Sequence, residues 1–166
     1  FDSAGAARFY QAAAALPWAG NRARLHYQAA DEWRKCGNYG SARTELEQAL
    51  GAAHTGHDKP MLARALGALG TLNVQAGRAP EAGPLLEQSL AMLRQSGDVE
   101  GEYTALAALG GLRRERGDMP EAESLYRRAL DLASARNDRA MVATVTHNLA
   151  GLLRQVGRVE ESEQTY

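Results

Sequence analysis

Four glycines, Gly37, Gly77, Gly117 and Gly157, follow one another at intervals of 40 residues. A second column, Ala42, Ala82, Ala122 and Ser162, keeps the same interval, and a third, Ala29, Leu69, Leu109 and Leu149, shares its register. Three columns in one register define an internal repeat. A repeat of this length restricts the chain to architectures in which similar units stack side by side, because one unit cannot bury its apolar face alone.

Each unit reads as two helices. Apolar residues at 62, 65, 66, 69, 72 and 76 recur at helical spacing, and Gly77 ends the run because glycine enters the left-handed cap conformation without a Cβ penalty. In the third unit Asp118 is a candidate N-cap, Pro120 falls in the first turn and Glu121 takes the capping-box position. Apolar residues then recur at 122, 125, 126, 129, 130 and 132. The joints between units read His57-Asp58, Gly97-Asp98 and Asn137-Asp138. The first residue of each pair tolerates positive φ and the second is a strong N-cap, so one helix stops and the next starts within two residues. Helices are expected near 2–16, 22–36, 39–54, 59–76, 79–95, 99–116, 119–135, 139–156 and 159–166. The repeat units are a partial one at 2–20, then 22–56, 59–96 and 99–136, and a partial one at 139–166.

The first unit departs from the period. Ala6, Phe9, Tyr10, Ala13 and Ala14 align with Ala122, Leu125, Tyr126, Ala129 and Leu130, yet Ala6 precedes Ala42 by only 36 residues. Residues 2–16 therefore read as the second helix of a unit whose first helix is missing. With Phe1 at the start and Tyr166 partway through a helix, the chain reads as a segment of a longer repeat array.

Composition supports an all-α fold. The apolar 45% is mostly Ala and Leu, which keep their rotamer freedom in a helix, and only 6% is aromatic. A net charge of −1 gives no field that draws nucleic acid or membranes. No apolar run approaches the roughly 20 residues of a membrane span, and no signal peptide is visible. Cys36 is the lone cysteine, which fits a reducing compartment; a cytoplasmic location is expected.

The columns resemble the tetratricopeptide repeat (TPR) family over nearly the whole chain. Leu69-Gly70 and Leu109-Gly110 match the family's middle pair in the first helix, with Ala29-Ala30 and Leu149-Ala150 as weaker versions. Ala122, Tyr126 and Ala129 match its second helix; Ala82, Leu86 and Ser89, and Ala42, Leu46 and Ala49, do so with substitutions. Standard units have about 34 residues. The longer period here is similar to repeats in bacterial signalling ATPases, transcriptional activators, peptide-sensing regulators and some eukaryotic spindle-orientation adaptors. The Ala/Arg/Gly-rich composition points to a GC-rich bacterium. The resemblance implies a right-handed α-α superhelix of antiparallel helix pairs, a concave inner face lined by each unit's first helix, and a partner that is a protein or peptide.

Carried onto this chain, the inner face holds Arg24, Tyr27, Gln28, Asp31, Arg34 and Lys35 in the first full unit. The next units supply Arg64, Thr71 and Gln75, then Thr104, Arg114 and Glu115, then Thr144, His147, Asn148 and Arg154. Small residues (Gly67, Ala68, Ala107, Ala108, Gly111 and Gly151) lie between them. Six Lys or Arg against Asp31 and Glu115 make this face basic, and an acidic segment is the expected guest, since a guanidinium can hold a carboxylate with two parallel bonds. The family's two-carboxylate clamp wants Lys and Asn where Tyr27 and Asp31 stand, so a chaperone co-factor role is disfavoured.

Other signals carry little chemistry. His54 and His57 form an HxxH, but His57 aligns with Gly97 and Asn137 in the joints, and no metal is expected. His26 and His147 show no carboxylate or cysteine partner in sequence. No nucleophile elbow, metalloprotease, P-loop or dinucleotide motif occurs, so neither catalysis nor a cofactor is expected. Arg113, Arg114, Arg116, Arg127 and Arg128 are interleaved with Glu115, Asp118, Glu121 and Glu123 rather than with aromatics, which reads as a solvated face, not a nucleic-acid site. Trp18 and Trp33 read as packing residues. The functional expectation is a partner-binding segment of a larger bacterial signalling or regulatory protein. The alternative is a scaffold that self-associates through the ends of the array.

Overall fold

The computed structural model describes residues 2–16 and 20–164. Among them are nine α-helices and no strand: α1 Ser3–Ala15, α2 Arg22–Lys35, α3 Tyr39–Thr55, α4 Lys59–Gln75, α5 Ala79–Ser96, α6 Val99–Glu115, α7 Met119–Ala135, α8 Arg139–Gln155 and α9 Val159–Gln164. The described helix ends fall within one residue of those expected, and the last two residues expected in α9 lie outside the described part. Trp18, with Pro17 and Ala19, also lies outside it.

Local chemistry accounts for this agreement. Asp2, Asn21, Asn38, Asp58, Asp98, Asp118 and Asp138 each accept a hydrogen bond from the third helical amide that follows. This satisfies one of the donors a helix start leaves orphaned. Arg78 stands at that position before α5 and makes no such bond. The stops are equally regular: Gly37, Gly77, Gly117 and Gly157 have φ between 69° and 85°, and Gly97, His57 and Asn137, which end the second helices, have φ of 70°, 53° and 56°. The reciprocal half of the capping box at α7 does not form. The Asp118 amide bonds to the Arg113 carbonyl, and the Glu121 carboxylate turns to the Arg113 guanidinium at 3.1 Å.

Each helix packs on the next in sequence, and α4, α6 and α8 also meet across units, as do α2 and α4. The main core runs from α4 to α8 around Leu86, Leu93, Leu106, Leu112, Tyr126, Leu149, Leu152 and Leu153. A smaller one gathers Ala30, Ala42, Leu46, Leu69 and Leu72, with Trp33 partly buried against it, as a packing role requires. Close helix approach depends on missing side chains. A Cβ on Gly70 would stand 2.6 Å from Leu86 Cγ, and one on Gly110 would stand 2.7 Å from Tyr126 Cε1.

At the start of the array the expected alignment of Phe9 with Leu125 fails. Phe9 is 68% exposed, edge-on to Tyr10 at 5.7 Å, whereas Leu125 packs against the main core. α1 packs mainly on α2, burying Ala7 and Ala14, and reaches α3 through Gln11, so no described helix covers its other side.

Candidate functional site: the concave groove

Along α2, α4, α6 and α8, residues three or four apart share one helix face. One face of each helix packs on its own hairpin partner. A second face, carrying residues 27, 31 and 34 on α2 and 64, 68, 71 and 75 on α4, is left to line a groove of about 460 Å³ shared with α6 and α8. Its floor is small and mostly apolar: Ala30, Gly67, Ala68, Ala107 and Ala108, with Ala42 and Leu46 of α3 and Ser89 and Leu93 of α5 beneath. Gly67 has no room for a side chain, because a Cβ would meet Ser89 Oγ at 2.7 Å while that hydroxyl donates to the Ala63 carbonyl at 2.7 Å.

Nine of the residues expected on the inner face line this groove: Tyr27, Asp31, Arg34, Arg64, Thr71, Gln75, Thr104, Thr144 and Asn148. Arg24, Gln28, Lys35, Arg114, Glu115, His147 and Arg154 do not. Glu100, Gly101 and Met141, in the first turns of α6 and α8, line it without having been singled out. The signal for them was the same 40-residue register, continued one turn towards each helix start.

Three of the six cations are already neutralised within the chain. Asp31 takes Arg34 at 2.7 Å and Lys35 at 2.8 Å, and Lys35 also reaches Glu32 at 2.8 Å. Burial raises the Asp31 carboxyl, but the bonds from Lys35 and Arg34 outweigh it and hold the group below its ordinary value. Arg64 grips Asp98 with two parallel bonds, Nε to Oδ2 at 2.6 Å and Nη2 to Oδ1 at 2.9 Å, and has Glu100 at 3.8 Å. The Arg64 bond is the main reason the Asp98 carboxyl sits below its ordinary range. Asp98 therefore does two jobs: it caps α6 through the Gly101 amide at 3.0 Å and ties that cap to α4. The Tyr27 hydroxyl, pushed up by burial and by Asp31, has no hydrogen-bond partner among the described residues. Arg24, Arg114 and Arg154 make no ion pair among them. The basic character expected along the whole face thus narrows to these three positions.

His26 does have a carboxylate partner, contrary to the sequence reading. Its Nδ1 lies 2.8 Å from Glu45 Oε2, and Gln11 Nε2 donates to Glu45 Oε1 at 2.8 Å. Glu45 is 6% exposed. In the next units the same two positions hold Leu66 with Leu85 and Leu106 with Leu125, so a polar trio replaces an apolar contact between α2 and α3. The 19-residue separation hid the pair until two helices were folded together. Three of the five cations in the basic cluster of α6 and α7 are paired: Arg113 reaches Glu87 at 3.0 Å, Arg127 reaches Glu123 at 2.8 Å and Arg128 reaches Glu102 at 3.2 Å, while Arg116 donates to the Ala79 carbonyl at 2.9 Å. His54 and His57 are exposed, and among the described residues no three His, Cys, Asp or Glu side chains gather to hold a metal ion. No described helix is long and apolar enough to cross a membrane.

A stack of helical hairpins in one register, open along its inner face, defines an α-helical repeat solenoid built for protein–protein interaction. The tetratricopeptide repeat family model matches residues 21–95 and 102–166, and the chain belongs to that family. Its fold is similar to the crystal structure of BtubC (BKLC) from P. vanneervenii, with a TM-score of 0.77 and 16% identity over 99% of this chain and 70% of that one. It is also similar to the nearly identical TPR-like repeats of a putative kinesin light chain from Podosopora anserina, with a TM-score of 0.66 and 18% identity over 98% of this chain and 83% of that one. No curated protein is similar enough in sequence to count as a relative.

Proposed function

We propose that the groove between α2, α4, α6 and α8 binds a segment of another protein. One observation carries this reading: a channel of about 460 Å³ with a floor of Ala and Gly and walls of polar side chains. A bulky floor would close it; an apolar wall would make it sticky. Adjacent helices lie about 10 Å apart, so three steps from α2 to α8 span roughly 30 Å. An extended segment of about nine residues covers that distance. The guest carries acidic groups, since Arg114 and Arg154, on α6 and α8 just beyond the residues that line the groove, make no ion pair among the described residues. In this reading the array is the partner-binding part of a larger signalling or regulatory protein, bacterial and cytoplasmic, and the exposed thiol of Cys36 fits that setting.

The test begins by capturing a partner from the source cells and identifying its bound segment. Affinity for that segment is then compared between the wild type, the groove-filling variant Ala108→Trp and the outer-face control Gln88→Trp. A loss of tenfold or more confined to Ala108→Trp is expected; equal affinity for both variants rejects the groove. A second reading is self-association, for which the exposed apolar side chains of Phe9, Val156 and Val159 offer contacts. Light scattering across protein concentration decides it, and a mass that stays monomeric rules it out.

A further inference from the structure

The repeat contains its own template for what the groove recognises. In the first full unit Asp31 and Arg34 share the inner face of α2, and the carboxylate holds the guanidinium at 2.7 Å. Forty residues on, the same two positions hold Thr71 and Val74, with neither charge. In the third unit they hold Gly111 and Arg114, and in the fourth Gly151 and Arg154. The cation returns in both later units, and the carboxylate does not. Arg114 is half-buried and makes no ion pair among the described residues; its Nη1 lies 3.7 Å from where a Cβ of Gly151 would stand.

A second group points at the same spot. Tyr126 of α7 is 1% exposed, its ring packed on Gly110. The equivalent positions in the units before it hold Leu46 and Leu86, so the ring's packing does not need a hydroxyl. That hydroxyl has no hydrogen-bond partner among the described residues, and it is not one of the fully buried orphaned atoms, so its tip reaches the surface. It lies 3.6 Å from where a Cβ of Gly111 would stand, and both Arg114 and Glu115 act on it electrostatically. The buried phenol beside Gly111 and the unpaired guanidinium beside Gly151 supply one neutral and one charged donor. They leave vacant the volume that Asp31 fills in the first unit.

We propose that this spot, Arg114 and the Tyr126 hydroxyl over Gly111 and Gly151, receives an Asp or Glu carboxylate from the bound partner, standing in for the Asp31 carboxylate of the first unit. The inference rests on the groove reading above and adds a contact beside the groove, just beyond its lining residues on α6 and α8. Arg154, the equivalent cation one repeat on, stands about 10 Å further along, so a second acidic residue about three positions away in an extended guest falls beside it.

The test uses N-acetyl-glutamate N-methylamide, with the glutamine analogue as control, titrated into ¹⁵N-labelled protein. The glutamate probe is expected to give saturable shifts at the Gly111 and Gly151 amides and the Arg114 Nε–H, and the glutamine probe none. Arg114→Gln should abolish the shifts. Tyr126→Phe, which keeps the ring, should weaken binding about tenfold by removing a bond to a charged acceptor. Gly111→Asp should abolish binding by filling the site as Asp31 does. Shifts that are absent, equal for both probes, or indifferent to Arg114→Gln and Gly111→Asp overturn the proposal. If they are absent while Ala108→Trp still blocks the captured partner, only the carboxylate site falls. If they are present while Ala108→Trp leaves the partner bound, the groove reading fails instead.

Discussion

Adjacent glycines in the middle of α6 should respond in opposite ways to the same methyl group. At Gly110 a Cβ would stand 2.7, 2.8 and 3.2 Å from three ring atoms of Tyr126, where carbon atoms rest at about 3.5–4.0 Å. The ring must withdraw by nearly an ångström, and it is enclosed on all sides. Overpacking of this kind costs about 1–3 kcal/mol, against a gain of about 1 kcal/mol for alanine over glycine inside a helix. Gly110→Ala should therefore lose about 1 kcal/mol net. At Gly111 the nearest atom is the Tyr126 hydroxyl at 3.6 Å, an ordinary contact, so Gly111→Ala should gain about 0.5–1 kcal/mol. The two variants should differ by roughly 2 kcal/mol, or about 4–8 °C in Tm for a chain of this size. Far-UV circular dichroism is the suitable probe. An array can open unit by unit, and Trp33 fluorescence reports mainly on the first full unit. A Gly110→Ala protein as stable as Gly111→Ala would refute the claim that a missing Cβ sets the α6–α7 spacing.

Three further outcomes follow from the same reasoning. Arg78→Asp should stabilise the array by about 1 kcal/mol, because α5 lacks the side-chain cap seen at Asn38 and Asp118; no change in urea midpoint would show that Arg78 has a compensating role. Replacing His26 alone by Leu leaves the buried Glu45 carboxylate with Gln11 as its remaining partner and should cost about 1–3 kcal/mol, while His26→Leu with Glu45→Leu, which restores the pair found in the next two units, should recover most of it. A double variant as unstable as the two singles summed would contradict this. The Asp98 carboxyl is held below its ordinary value by Arg64, so its contribution is complete above the unfolded value of about 3.9 and fades as pH falls through the lower folded value. Asp98→Asn keeps the α6 cap and drops the ion pair. Its stability should fall less than that of the wild type between about pH 5 and pH 2, and parallel curves would exclude the Arg64–Asp98 clasp as a source of acid sensitivity.

Much of this was readable in the chain. The 40-residue register gives the hairpins, because caps and stops act within a few residues: Asp58, Asp98 and Asp138 start helices, and Gly37, Gly77 and Gly117 end them, wherever the rest of the chain lies. The columns of Ala30, Gly70 and Gly110 likewise announce close packing, and counting along the inner helices places Tyr27, Asp31, Thr71 and Thr104 on the open face. Charge state was not readable. Arg64 meets Asp98 across 34 residues and His26 meets Glu45 across 19. Whether a cation is spent inside the molecule or left for a guest depends on which helices become neighbours and on how far each side chain reaches. Phe9 shows the same limit, since a pattern that buries Leu125 leaves it bare where no described helix lies alongside. Periodicity records which way a residue points from its own helix. Only the assembled stack decides what stands opposite, and that is why the bare guanidinium of Arg114 and the idle hydroxyl of Tyr126 emerged from the fold and not from the repeat.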